Sequence, residues 1–201
     1  MVKTYVEKVT GNLYVLRIDD DQVKFFEALW HIPEGITYNA YLLATDEKTV
    51  LFDSWKQEYT DYFIERLREI VDPKDIDYII IHHMEQDHSG AIPKILELNN
   101  FKAEVRGHSM TLGMLEAFYN VKPKFKALKD GEEIIIGNNR LKFIYTPWLH
   151  WPDTFMTYIE GDGVLLTGDA FGSYGIPLTI FDDNRELINA ILPLARLVDA
   201  V

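Results

Sequence analysis

The sequence contains no cysteine among its 201 residues. Disulfide bonds and thiolate metal ligands are therefore excluded, so any bound iron or zinc would be held by histidine, aspartate and glutamate. The sequence also lacks an apolar run of the roughly 18–20 residues that a membrane-spanning helix needs. Residues 1–6 show no long apolar core and no small-residue cleavage pattern. We therefore expect no secretion signal and a cytoplasmic location.

Positive charge is also scarce in this chain. The 20 lysines and arginines stand against 32 aspartates and glutamates, and the net charge is −12 at pH 7. Nucleic acids and anionic membranes would be repelled by this charge, so we expect neither as a partner. Hydrophobic residues make up 47% of the chain, which is enough for a packed core. The length predicts a single domain over residues 1–201.

Short β-branched runs and helical spacings alternate along the chain. Residues 77–82 form a nearly continuous apolar run, which is typical of a strand buried on both faces. Further strands are predicted at residues 4–9, 12–18, 38–44, 49–53, 102–106, 133–136, 141–145, 154–160 and 163–167. Helices are predicted at residues 58–70, 89–98, 109–119 and 185–201. Hairpins with interleaved helices predict an α+β fold, an αββα sandwich of two mixed sheets flanked by helices.

Six metal-capable side chains occur in three short clusters, each at the end of a strand-like run. They are His83, Glu85, Asp87 and His88 in the first cluster, His150 in the second and Asp169 in the third. A layered α/β fold presents the side chains at its strand ends to a shared cleft. The clusters therefore predict a site that holds a pair of metal ions through oxygen and imidazole ligands.

The spacing within the first cluster allows it to serve two adjacent ions. In an extended backbone, His83, Glu85 and Asp87 point the same way. His88 breaks the alternation where the chain bends toward the next helix. We expect His83 and Glu85 to bind one ion, with His150 completing its set. Asp87 and His88 would bind the other ion.

The third cluster contributes a carboxylate from a different strand. Asp169 in this place can bridge two metals that lie about 3.5–4 Å apart. Three carboxylates mixed with imidazoles suit iron or manganese better than the nitrogen-rich sets typical of zinc hydrolases, although zinc stays an alternative. Open positions on a ferrous pair would favour small diatomic ligands and electron transfer.

Several other residues have a functional and a structural interpretation. His82 points to the opposite side of its strand from the first cluster and is interpreted as structural. His31 and His108 lie in loop-like segments, either on the surface, in support of the ligands, or as substitutes for a missing ligand. Trp148 and Tyr174 either line the cavity or pack in the core.

The clusters themselves also have structural alternatives. Residues 83–88 could form a polar turn, but desolvating four ionisable side chains beside a buried strand would be costly. His150 could be a hydrogen-bonded structural histidine, and Asp169 could be a turn residue after Gly168. The acidic run at residues 19–21 is either a solvated turn or a docking spot for a basic partner.

Four stretches of the sequence resemble a known family. They are TYNAYL at residues 37–42, HMEQDHSG at 83–90, LHWPD at 149–153 and DAFG at 169–172. They resemble the diiron domain of flavodiiron proteins, also called A-type flavoproteins, in the metallo-β-lactamase superfamily. The likeness extends from near the amino terminus to about Phe181. Hydrolytic members of the superfamily usually carry histidine where Glu85 stands, which favours the iron-binding branch.

The resemblance implies a non-haem diiron centre that reduces dioxygen to water or nitric oxide to nitrous oxide. Its positions match His83, Glu85 and His150 to one iron, Asp87 and His88 to the other, and Asp169 to the bridge. The electrons would come from a separate flavoprotein or rubredoxin-like donor, so FMN is expected on a partner. The resemblance also implies a homodimer in which the FMN of one subunit faces the diiron site of the other.

The sequence departs from the family pattern in two ways. The family has a final histidine ligand well downstream of the bridging aspartate, whereas none of the 32 residues after Asp169 is histidine. The second iron is therefore expected to lack one ligand, in a fold shortened at its carboxyl terminus. The flavodoxin-like domain is also missing from residues 1–201.

Three alternatives to a gas reductase stay open at this point. The first is a diiron protein that binds oxygen as a sensor or carrier without turnover. The second is a zinc-dependent hydrolase of the same superfamily, with a metal-bound hydroxide as nucleophile. The third is a shortened chain that binds one metal and is inactive.

Overall fold

The computed structural model describes residues 2–26, 29–177, 179 and 181. Within these ranges the strands are β1 (Lys3–Thr10), β2 (Leu13–Asp20), β3 (Phe25–Phe26), β4 (Trp30–His31), β5 (Ile36–Ala44), β6 (Thr49–Phe52), β7 (Tyr78–Ile81), β8 (Glu104–Gly107), β9 (Lys124–Ala127), β10 (Glu133–Ile136), β11 (Asn139–Tyr145), β12 (Phe155–Ile159) and β13 (Val164–Leu166). The helices are α1 (Thr60–Leu67), α2 (Gln86–Ser89), α3 (Ile92–Leu98) and α4 (Thr111–Tyr119). Short 3₁₀ turns occur at Gln57–Tyr59 and Pro73–Asp75. The helix predicted at residues 185–201 lies outside the described residues.

The larger sheet has seven strands in the order β1-β2-β5-β6-β7-β8-β9. Its first four strands pair antiparallel, and β6 to β9 pair parallel. Parallel neighbours require crossover connections, which are supplied by α1, by α2 with α3, and by α4 in turn. The carboxyl ends of β6, β7 and β8 consequently lie at one edge of the sheet.

The smaller sheet, β10-β11-β12-β13, packs face to face on the first. In β11 the buried Leu141 and Phe143 alternate with the exposed Arg140 and Lys142, the period-two pattern of a strand with one covered face. The buried side chains meet residues of the first sheet such as Phe52 in one apolar cluster. The predicted packing of two sheets is confirmed.

Three details differ from the sequence prediction. The smaller sheet was expected to be mixed, but its described strands all pair antiparallel because short turns join consecutive strands. The strand β9 was not predicted, since its KFKA sequence with alternating lysines resembles a loop but suits a sheet edge. The two-residue strands of the β3–β4 hairpin were also missed. Such short strands carry no periodic signal.

The helices α1, α3 and α4 bury their apolar faces on the larger sheet. Phe63 and Leu67 of α1, Ile95 of α3 and Leu115 of α4 all belong to the cluster on the face opposite the smaller sheet. Trp55, fully buried in that cluster, donates its indole N–H to the Leu16 carbonyl at 3.1 Å. No helix among these residues has the length and apolar character that crossing a bilayer requires.

Gly90 is a point of close backbone contact that positions α2. A Cβ at this residue would lie 2.3 Å from the Gln57 nitrogen and 2.7 Å from the Gln86 carbonyl oxygen. The absence of a side chain lets the turn after α2 pack directly on the loop before α1. The local chain path around His88 therefore depends on glycine at this position.

We predict that Gly90→Ala destabilises the metal-free protein by roughly 1–3 kcal/mol, because backbone atoms on both sides must move. Gly113→Ala is the matched control, since nothing lies within 4 Å of its added Cβ and it sits in α4. The control should gain about 0.5–1 kcal/mol from helix propensity. Urea unfolding measures both variants. Equal free energies of unfolding for the two variants would refute the role of Gly90.

Candidate metal centre

The three predicted clusters meet at one edge of the two sheets. His83 and Glu85 follow β7, His150 lies in the loop before β12, and Asp169 follows β13. One ligand atom from each of these four side chains lies within 4.8 Å of the others. The structure thus brings together residues from three separate stretches of the chain.

Asp169 lies between His88 on one side and the pair of His83 and His150 on the other. Its Oδ2 is 3.3 Å from Nε2 of His83 and 3.2 Å from Nε2 of His150. Its Oδ1 is 2.7 Å from Nε2 of His88. Oδ2 of Asp87 is 3.9 Å from the same His88 nitrogen. The two oxygens of one carboxylate therefore face two neighbouring positions, which is the arrangement that a bridging ligand needs.

Glu85 belongs to the first of these positions. Its Oε2 is 2.8 Å from Nε2 of His150 and 3.4 Å from Nε2 of His83. Ser89 fixes the backbone around it, because its hydroxyl donates to the carbonyls of Met84 and Glu85. The first turn of α2 therefore holds the backbone from which the Glu85 side chain extends.

Buried polar atoms at the centre lack hydrogen-bond partners among the described residues. These atoms are both ring nitrogens of His83, Oε2 of Glu85, Oδ1 of Asp87 and Nδ1 of His88. Buried polar groups are normally hydrogen-bonded, and a bound cation would satisfy such nitrogen and carboxylate donors. The residues present consequently fit a metal centre, and their assignment as ligands stays a prediction.

The ionisation of the cluster follows from its close contacts. The carboxylates of Asp169 and Glu85, which lie 3.2 and 2.8 Å from Nε2 of His150, stabilise its protonated form and raise the pKa of His150 to about 10. Burial favours the neutral form of Glu85, but His150 and His83 outweigh it and lower the pKa of Glu85 to about 2. Burial raises the pKa of Asp87 to about 6. Protons on the imidazoles therefore compensate the carboxylates when no metal is bound.

The remaining sequence candidates lie apart from this group. The exposed His31 lies near Phe25, with ring centroids 5.3 Å apart and the ring planes tilted by 48°, and the ring of His108 lies 5.0 Å from that of Tyr145. Neither belongs to the group of close ligand atoms in the described chain. The alternative prediction that Trp148 packs in the core is wrong, because this residue is 75% exposed.

Tyr174 and His82 have clear packing partners. The half-buried Tyr174 contacts the Phe26 ring at 5.6 Å. His82 is buried and, as expected, does not join the group of close ligand atoms. Its Nδ1 lies 2.7 Å from Oδ2 of Asp53, and its Nε2 lies 2.8 Å from Oγ1 of Thr157.

Asp53 is a residue of this region that the sequence reasoning missed. It directly follows β6, the parallel neighbour of β7, and its side chain is buried beside both His82 and His88. A carboxylate at the end of a predicted strand was the available signal. The adjacency of that strand to β7 could not be read from the sequence.

Two packed sheets with a histidine and carboxylate cluster at their shared edge define a metallo-β-lactamase-like domain. A family model described as ODP family beta lactamase matches residues 36–193. The chain belongs to this ODP family.

Known proteins with this fold include several that are similar in sequence. A variant of the flavo di-iron protein from Thermotoga maritima superposes with a TM-score of 0.93 at 42% identity, over 98% of this chain and 50% of that one. For the rubredoxin oxygen:oxidoreductase from Desulfovibrio gigas the TM-score is 0.90 at 30% identity, over 98% and 48%. A nitric oxide reductase of Moorella thermoacetica is 34% identical over 94% of this chain and 50% of its own length. The chain spans about half the length of these proteins.

We predict that metal affinity rises with pH. His150 has a pKa of about 10 in the metal-free protein, so a metal ion must displace its proton to bind. Titrating the metal-free protein with Zn²⁺ between about pH 6 and 9 should give tighter binding at each higher pH, with protons released on binding. His31→Ala is the control and should leave the pH dependence unchanged. An affinity independent of pH would contradict the assignment.

Proposed function

We propose that the chain is the metal-binding domain of a flavodiiron-type oxidoreductase and holds two iron ions. In this proposal His83, Glu85 and His150 bind one ion. Asp87 and His88 bind the other. The first group converges within a few ångströms, and the second lies directly beside it, with the His83 and His88 ring centroids 4.2 Å apart.

The main observation behind the proposal is that the two oxygens of the Asp169 carboxylate face different imidazoles. One oxygen faces the imidazoles of His83 and His150, and the other faces that of His88. A structural aspartate would need one such contact. A carboxylate shared between two metal positions needs both.

The donor set supports iron as the metal. Oxygen and imidazole ligands in equal number suit iron better than the nitrogen-rich sets of zinc hydrolases. When bound, a ferrous pair supplies electrons to a small gas molecule at its open positions. The printed names of two similar proteins, a nitric oxide reductase and a rubredoxin oxygen:oxidoreductase, support nitric oxide or dioxygen as the substrate.

Repeated reduction of either substrate requires a donor that resupplies the electrons. Four electrons and four protons convert dioxygen into two waters, and two of each convert two nitric oxides into nitrous oxide and water. We propose a separate donor, either a reduced flavoprotein or a rubredoxin-like protein. The name flavorubredoxin, borne by a 33% identical relative from Salmonella arizonae, supports this class of donor.

The site is exposed to solvent on one side only among its described residues, and this supports access of the substrate from that side. The side chains of His150 and Asp169 are 53% and 35% exposed, whereas that of His83 is buried. The substrate would therefore approach past His150. Trp148 and Phe171, exposed at 75% and 86%, stand two residues from these ligands and offer an apolar rim to the donor or to a second copy of the chain. A homodimer is part of this proposal.

We predict that Asp169→Ala loses both irons, because each metal position loses a ligand, and that His83→Ala lowers the iron content. The affinity for iron should fall by more than the roughly 10–100-fold that is lost when a residue supporting a metal ligand is removed. Gas consumption with a chemical reductant should be abolished in both variants. Iron per chain is measured after anaerobic reconstitution, and His31→Ala is the matched histidine control.

The metal count also separates this proposal from a hydrolase. Unchanged iron content in both ligand variants would exclude the assigned site. Two zinc ions in anaerobically purified protein, with hydrolysis of esters or lactams, would replace the oxidoreductase by a zinc hydrolase.

A further inference from the structure

Asp53 has an unusual backbone conformation next to the metal centre. Its φ of 57° lies in the left-handed region, which L residues other than asparagine and aspartate rarely adopt. Its N–H donates to the Ile80 carbonyl at 2.9 Å, so the β6–β7 ladder holds it in place. This turn directs the carboxylate back toward β7, where Oδ1 accepts the His82 backbone N–H at 2.8 Å.

The second oxygen of Asp53 lies between two histidines. Oδ2 is 2.7 Å from Nδ1 of His82 and 3.7 Å from Nδ1 of His88. His82 cannot move away, because its Nε2 contacts Thr157 and its ring stacks on Phe52 at 5.9 Å. The carboxylate is therefore fixed with one face toward His88.

The backbone of His88 is held by hydrogen bonds, and its ring nitrogens face two different carboxylates. The N–H and the hydroxyl of Ser54 donate to the His88 carbonyl at 2.7 and 3.0 Å. The ring directs Nε2 to Asp169 and Nδ1 to Asp53. Nδ1 has no hydrogen-bond partner within the described chain, and a ring shift of about 1 Å would bring it within bonding distance of Asp53.

We propose that Asp53 is a positioning residue that holds His88 with Nε2 toward the second metal position and thereby determines whether that position is filled. A metal-binding imidazole usually donates its other N–H to a carboxylate, which fixes its tautomer and orientation. The inference rests on the proposed function, because it takes His88 as a ligand. Among the described residues, Asp53 is not part of the close group formed by His83, Glu85, His150 and Asp169.

The test compares Asp53→Asn with Thr157→Val. Asparagine keeps the size of the side chain and tolerates the left-handed backbone, but it removes the charge that faces both histidines. Valine at position 157 removes the other partner of His82 without touching His88. After anaerobic loading with Fe²⁺, we expect two irons per chain in the wild type and in Thr157→Val. We expect about one iron in Asp53→Asn, with the remaining ion at the first position.

An electron paramagnetic resonance spectrum after oxidation gives a second readout. An isolated ferric ion in Asp53→Asn should give a high-spin signal that a coupled pair does not show. Two coupled irons in Asp53→Asn would overturn the inference. Loss of the second iron in Thr157→Val would also overturn it, because Asp53 would then act through His82 alone.

A measurement on the wild type tests the inference independently of folding in the variants. In protein loaded with Zn²⁺, long-range proton–nitrogen spectra should show His88 bound through Nε2 with its proton on Nδ1. Binding through Nδ1 would overturn the inference while leaving two metals and the proposed function intact. A wild type that binds fewer than two metals would instead overturn the proposed function and, with it, this inference.

Discussion

The electrostatic compensation of Asp169 by three imidazoles is the constraint on which this site depends. Buried or half-buried carboxylates are expensive unless opposite charges and hydrogen bonds accompany them. His88, His150 and His83 hold the pKa of Asp169 well below its usual range despite its burial. The same contacts raise the pKa values of the three imidazoles, so protons occupy the place that a cation would take. In the proposed site, metal binding would therefore exchange these protons for a metal ion.

The parallel half of the larger sheet makes this convergence possible. Because β6 and β7 run in the same direction, Asp53 and His83 emerge at the same edge, while the smaller sheet brings Asp169 to that edge from the opposite layer. Gly90 and Ser54 then anchor the turn that carries His88, through a close backbone approach and two hydrogen bonds.

The buried and exposed sides of the centre have different roles in the proposed reaction. His83, Asp87 and His88 are buried in the protein interior. His150 and Asp169 face solvent beside apolar side chains. A site with this asymmetry can exclude water from one side and accept a small substrate and an electron donor from the other.

The amino-acid sequence by itself determined the types of candidate ligand, their spacing in residues 83–88 and most strands, because these are properties of neighbouring residues. The apolar run at residues 77–82 marked β7, and the strand predicted at residues 141–145 corresponds to most of β11. The tertiary structure decided the antiparallel smaller sheet, the edge strand β9 and the role of Asp53. It also decided which oxygen of Asp169 faces which imidazole, since His88 and Asp169 are 81 residues apart in sequence. Contacts over such separations arise from strand order and sheet packing, which local patterns do not encode.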